Sequence, residues 1–169
     1  MQVLILVATV LSLNGFLSAG DILDVKGGFS HLTGGVPTGW TRNRPIGWDD
    51  EATIALNPID GTEKQALKVT SQNKVAHLYF NKKWLAATGN KCIIKAMVKG
   101  KGQGTLGIYT YPGGLWMKTT FQATEEWTEC IAEQIIPEQD PEIDEICIVI
   151  TTGAGASIEF SDARAEIVK

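Results

Sequence analysis

Tyr109 and Tyr111 are separated by a single residue, so on an extended strand both rings project to the same side. Trp116 follows the Pro112-Gly113-Gly114 turn, and Lys95 and Met97 alternate on an apolar run just upstream. Flat rings beside cations and hydroxyls suit one chemistry in particular. Sugars present apolar C–H faces that stack on aromatic rings, and hydroxyl rims that take hydrogen bonds. Cross-strand aromatics also stabilise a sheet without binding anything, and that reading stands beside the first. Trp84 and Trp48 fall in loop-like stretches, where a second type of site can form. Trp127 opens a strand-like run. The candidate ligand-binding set is therefore Tyr109, Tyr111, Trp116, Lys95, Met97 and Trp84.

Catalytic chemistry finds fewer residues. The two histidines, His31 and His77, are isolated, and no nucleophile stands in a recognisable relation to a base. Asp49, Asp50 and Glu51 form one carboxylate run and residues 138–145 another, but acidic runs in loops are ordinarily solvated surface. No phosphate loop, nucleophile elbow or EF-hand loop is written in the chain. The expectation is a non-catalytic protein. Cys92, Cys130 and Cys147 each sit inside an apolar run with no metal-type spacing, and read as small buried hydrophobes.

The elements that must hold the tyrosines are strands. Across residues 91–124 alternation turns Cys92, Ile94, Ala96, Val98, Leu106 and Ile108 inward, with Met117 and Phe121 beyond the turn. Ile93, Lys95, Met97, Lys99, Tyr109, Tyr111, Trp116, Lys118 and Thr120 then face out. Three consecutive strands with one wetted face are predicted there, separated by GKGQG and PGG. Short strands are also predicted near residues 52–56, 66–70, 77–81, 126–136, 146–151 and 157–167, the run at 146–151 buried on both faces. Eight or nine strands, regular turn signals and no convincing helix indicate an all-β sandwich or barrel.

At 169 residues, with 44% hydrophobic and 20% charged residues, the chain suits one domain with a real core. A net charge of −4 gives no electrostatic case for nucleic acid or an anionic membrane surface. Residues 1–19 carry no charged side chain, an apolar run from Val3 to Leu13, and small residues at the end. That resembles a secretory signal peptide and is shorter than a membrane span. The expected product is residues 20–169, exported to the cell envelope, periplasm or medium, with no stable membrane insertion.

Taken in order, GGF (Gly27–Phe29), PTGW (Pro37–Trp40), GTEKQALKV (Gly61–Val69), AMVKG (Ala96–Gly100), EEW (Glu125–Trp127), Ile136-Pro137 and FSDARAEI (Phe160–Ile167) resemble carbohydrate-binding modules of the family four and nine type. The resemblance runs from Gly27 to the C-terminus and implies that Trp127 is the family's core Trp, a structural residue. It implies a jelly-roll β-sandwich of two antiparallel sheets, galactose-binding-like, that recognises a polysaccharide or oligosaccharide. The same fold also hosts structural and adhesive modules that contact protein or cell envelope, which is the alternative reading. Two departures matter. Ser30 replaces the acidic residue that helps the family bind structural calcium, and Ser161-Asp162 replaces a paired-Asp motif. Calcium takes six to eight oxygens, so no cofactor is expected, with Asp162 the residual candidate ligand. Met97 stands where the family often carries a wetted-face aromatic, so a sugar platform must rest on other side chains.

Overall fold

One strand organises the molecule. In the computed structural model, which describes residues 20–43, 47–139 and 141–169, the strand β9 (Lys91–Tyr111) is 21 residues long. Residues 1–19, where a signal peptide is expected, and residues 44–46 and 140 lie outside the described residues. The remaining strands are β1 (Asp21–Gly27), β2 (Leu32–Thr33), β3 (Val36–Pro37), β4 (Trp40–Arg42), β5 (Thr53–Pro58), β6 (Gln65–Thr70), β7 (Ala76–Phe80), β8 (Trp84–Leu85), β10 (Trp116–Ala123), β11 (Thr128–Ile135), β12 (Glu145–Thr152) and β13 (Ser157–Val168). All pairings are antiparallel.

Residues 91–98 of β9 belong to a first layer, ordered β5-β6-β13-β9-β11, with β1 along the second half of β13. Residues 102–111 belong to a second layer, ordered β4-β7-β12-β9-β10, with β8 beside the start of β12. The transfer happens at GKGQG, expected as a break between strands. Gly100 and Gly102 take φ of 136° and 96°, values open to glycine and strained for other residues. A Cβ on Gly100 would stand 2.2 Å from the Ser157 carbonyl oxygen, so the crossing also needs the missing side chain. The ladder therefore continues through the stretch.

The inner faces follow the alternation. Cys92, Ile94, Ala96, Val98, Leu106 and Ile108 are all at most 1% exposed, and they meet Leu67, Leu78, Ile146, Ile148, Ile150, Ile158 and Phe160. Met117 and Phe121 pack against this core from β10. The β12 strand is buried on both faces, as its unbroken apolar run requires. Trp40 closes one end, its indole donating to the Val25 carbonyl at 3.1 Å and its ring edge-on to Phe80. The architecture is an all-β jelly-roll sandwich, with no helix among the described residues. The three cysteines are free thiols, Cys92 and Cys147 fully buried.

The candidate carbohydrate face

The outer face of the second layer is built by register. Trp116, Tyr109 and Cys147 form one row across β10, β9 and β12. Lys118, Gly107, Val149, Tyr79 and Thr41 form the next, reaching β7 and β4. Thr120, Thr105, Thr151 and His77 form a third, and Tyr111, Glu145 and Leu85 flank the first on its other side. Every residue named is outward because its chain neighbours face the core.

The rings on this face touch one another. Tyr109 and Tyr111 lie 5.1 Å apart at 64°, an edge-to-face pair instead of two coplanar platforms. Trp116 reaches past β9 and β12 to meet the His77 ring at 4.5 Å and 74°. The space bounded by Asn43, His77, Tyr109, Trp116 and Val149 admits no water-sized sphere. Tyr109, Tyr111, Tyr79 and Trp116 are half-buried; none enters the sandwich. A ligand would therefore lie on the rings, not between them.

Cations cap two of them. The Lys118 ammonium sits 4.1 Å from the Trp116 ring centre. The Lys83 ammonium sits 3.7 Å from the Tyr111 ring centre and pairs with Glu145 at 2.9 Å. The Tyr111 hydroxyl stands 4.0 Å from Cys147 Sγ. Burial, followed by the charge and hydrogen bond of Cys147, pushes the Tyr111 hydroxyl well above the usual phenol range, so it stays protonated. His77 is 2% exposed and pairs through Nδ1 with Thr151 Oγ1 at 2.9 Å. Burial and then the Lys118 charge depress its pKa to about 4, so the imidazole is neutral. Trp116 Nε1 and Thr105 Oγ1 are shielded with no partner among the described residues. The face thus offers neutral rings, two ammonium groups and a hydroxyl fringe, with no activated nucleophile among the described residues.

The structure unites three of the six expected residues and disperses the others. Tyr109, Tyr111 and Trp116 share this face. Lys95 and Met97 do not: they pair with β11 and β13 in the first layer, because β9 changes layers between them and the tyrosines. Their outward sides look away from the tyrosine face. Trp84 pairs with Ile146, an inward residue, and stacks on Phe80 at 5.5 Å and 13°. It is packed against the core, with the Lys82 ammonium 5.8 Å from its ring centre. Trp48, also weighed as a loop platform, is 7% exposed and part of the core, under the Arg42 guanidinium. Trp127 departs the other way: it lies outside the core, half-buried beside Lys99. Asp162 gives both carboxylate oxygens to Lys64, at 2.9 and 3.1 Å, and no group of three His, Cys, Asp or Glu gathers among the described residues. Tyr79 and His77 complete the face and were not foreseen. The signal was there, since HLYF alternates in the same way, but the sequence does not say which strand lies beside β12.

No protein-family model matches the chain, and no curated protein is similar to it in sequence. Solved structures share its fold. The CBM22-1 xylan-binding domain from Paenibacillus barcinonensis Xyn10C is 16% identical, over 90% of this chain and 97% of that one, with a TM-score of 0.58. A family 29 carbohydrate-binding module variant complexed with mannohexaose is 13% identical over 88% and 91%, with a TM-score of 0.50. The enzymatically active domain of bacteriophage CBA120 tailspike protein 4 is 10% identical, with a TM-score of 0.60; the match spans 88% of this chain and 21% of that one. At these identities the likeness is one of fold.

Proposed function

We propose that this protein is an exported, non-catalytic module that holds a glycan on the outer face of its second sheet. The carrying observation is that Trp116, Tyr109, Tyr111 and Tyr79 stand on one sheet face in adjacent rows, outside the core. Rings there supply stacking surface, while Lys83, Glu145, Lys118 and Thr120 supply groups for the hydroxyl rim. The fold of a xylan-binding domain and of a module complexed with mannohexaose supports the reading. Binding is weak per site, because an open face leaves much of the ligand in water. Export rests on the signal-like residues 1–19. No helix among the described residues is long and apolar enough to cross a membrane.

Affinity electrophoresis against soluble xylan, mannan and mixed-linkage glucan tests the proposal. At least one polysaccharide should retard the wild-type protein. The double change Tyr109→Ala and Tyr111→Ala should weaken that binding by about fivefold to a hundredfold, since each stacking contact contributes roughly 0.5–1.5 kcal/mol. Retardation that survives the double change would remove the site from this face.

The alternative, an adhesive or structural module, is favoured by one observation on the other sheet. Ile22, Ile131 and Ile135 are 84%, 46% and 60% exposed on the outer side of the first layer. Aliphatic groups of that size turned to water suit contact with protein. Failure of every polysaccharide to bind, with loss of self-association or envelope binding on Ile131→Lys, would favour this second reading.

A further inference from the structure

We propose that the first sheet carries a separate site for an acidic, uronate-bearing polysaccharide, in the groove between Lys68, Lys99 and Lys101. Register assembles it. Lys68, Glu159 and Lys99 are consecutive across β6, β13 and β9, and Thr70, Ser157 and Lys101 form the adjacent row. With strands about 4.8 Å apart, the Lys68 and Lys99 backbones stand roughly 10 Å from each other. Between them opens a groove of about 430 Å³, with Glu125 at its margin.

The three ammonium groups outnumber the carboxylates that line the groove with them, Glu125 and Glu159. Among the described residues no ion pair involves Lys68, Lys99 or Lys101. Glu159 lies cross-strand from both Lys68 and Lys99 and keeps its charge, but it forms no ion pair with either. It accepts a hydrogen bond from Asn57 Nδ2 at 2.8 Å on the β5 side, which leaves one carboxylate among three ammonium groups in the two rows. Ser157 and Thr70 satisfy each other at 2.8 Å. The chain as a whole has 15 Lys and Arg against 19 Asp and Glu, so composition alone does not place three unpaired cations on one groove. Trp127 stands at the same side, its ring centre 6.0 Å from the Lys99 ammonium and outside the core. A stacking surface, separated cations and hydrogen-bond acceptors therefore occur together.

The two carboxylates select the ligand. Duplex DNA carries a charge about every 1.7 Å, and Glu125 and Glu159 would repel so dense a strand. A uronate polymer separates its carboxylates by hydroxyl-bearing rings, which Glu159 and Glu125 can accept hydrogen bonds from. This site shares no residue with the tyrosine face and stands or falls independently of it.

The full chain is titrated with polygalacturonate, neutral xylan, dextran sulfate and duplex DNA at low and at raised salt. Polygalacturonate should bind, severalfold more weakly at raised salt. The triple change Lys68→Gln, Lys99→Gln, Lys101→Gln should lower that affinity tenfold or more, and the corresponding triple change to Arg should retain it. Trp127→Ala should lower it too, whereas Tyr109→Ala with Tyr111→Ala should leave it unchanged. The proposal is overturned if polygalacturonate does not bind, if the Gln variant binds like wild type, or if dextran sulfate and DNA bind as tightly through the same lysines.

Discussion

His77 shows how the tyrosine face is held together residue by residue. It is neutral in the fold, where burial and then Lys118 lower its pKa to about 4, and it titrates near 6.5 when unfolded. The unfolded chain thus takes up a proton between those values that the folded chain refuses. Stability is complete above about pH 6.5 and falls as pH drops toward 4, by up to roughly 3 kcal/mol from this group. Thermal unfolding followed from pH 7.5 to 4.5 should show the decline, and His77→Gln should flatten that part of it. Equal slopes in both proteins would contradict the coupling. The thiols are set by the same physics: burial and then Glu166 push Cys92 up to about 12, and burial raises Cys147. Neither should react with iodoacetamide at pH 8 in the native protein, and both should after denaturation.

At the scale of elements, the decisive feature is a strand that changes layers. Gly100→Ala places a methyl group against the Ser157 carbonyl at a φ of 136°, and should destabilise the protein by at least about 1–3 kcal/mol in denaturant unfolding. A variant as stable as wild type would show that the crossing has slack. Asp49 does comparable work between loops. Its buried carboxylate accepts the backbone N–H groups of Gln72 at 2.6 Å, Asn73 at 2.8 Å, Lys74 at 3.3 Å and Glu51 at 3.2 Å. Burial alone would raise its pKa, but these donors together hold it below the usual carboxylate value, so its contribution is present at neutral pH and lost in acid. Asp49→Ala should speed amide exchange at Gln72, Asn73 and Lys74 and lower the melting temperature. Alternation made the inward sets of β9, β10 and β12 readable in the sequence, because the period of two survives wherever one side is dry. The layer change was not readable, because glycines that mark a turn and glycines that let a strand bend are written alike. That ambiguity put Lys95 and Met97 beside the tyrosines. Trp84 was misplaced for a related reason: a two-residue strand gives no periodicity from which to tell its sides.

Across the whole molecule, the sandwich presents two outer faces of different chemistry on one core. The second layer displays linked rings under two ammonium caps; the first displays aliphatic side chains at one end and, at the other, three lysines with no ion pair among the described residues. Strand periodicity and turn signals indicated a sandwich or barrel, and the jelly roll was what the resemblance of the short motifs to carbohydrate-binding modules implied. Which residues meet on a face depends on strand order, and β7 beside β12 brings Tyr79 and His77 to the tyrosines from more than two dozen residues away. The most direct test is the backbone amide spectrum of the ¹⁵N-labelled protein during titration with the neutral oligosaccharide corresponding to the polysaccharide it retains. Shifts should concentrate in β7, β10, β12 and residues 105–111 of β9, and residues 91–98 should stay still. Shifts confined to the first layer, or none at saturating sugar, would contradict glycan recognition by the tyrosine face.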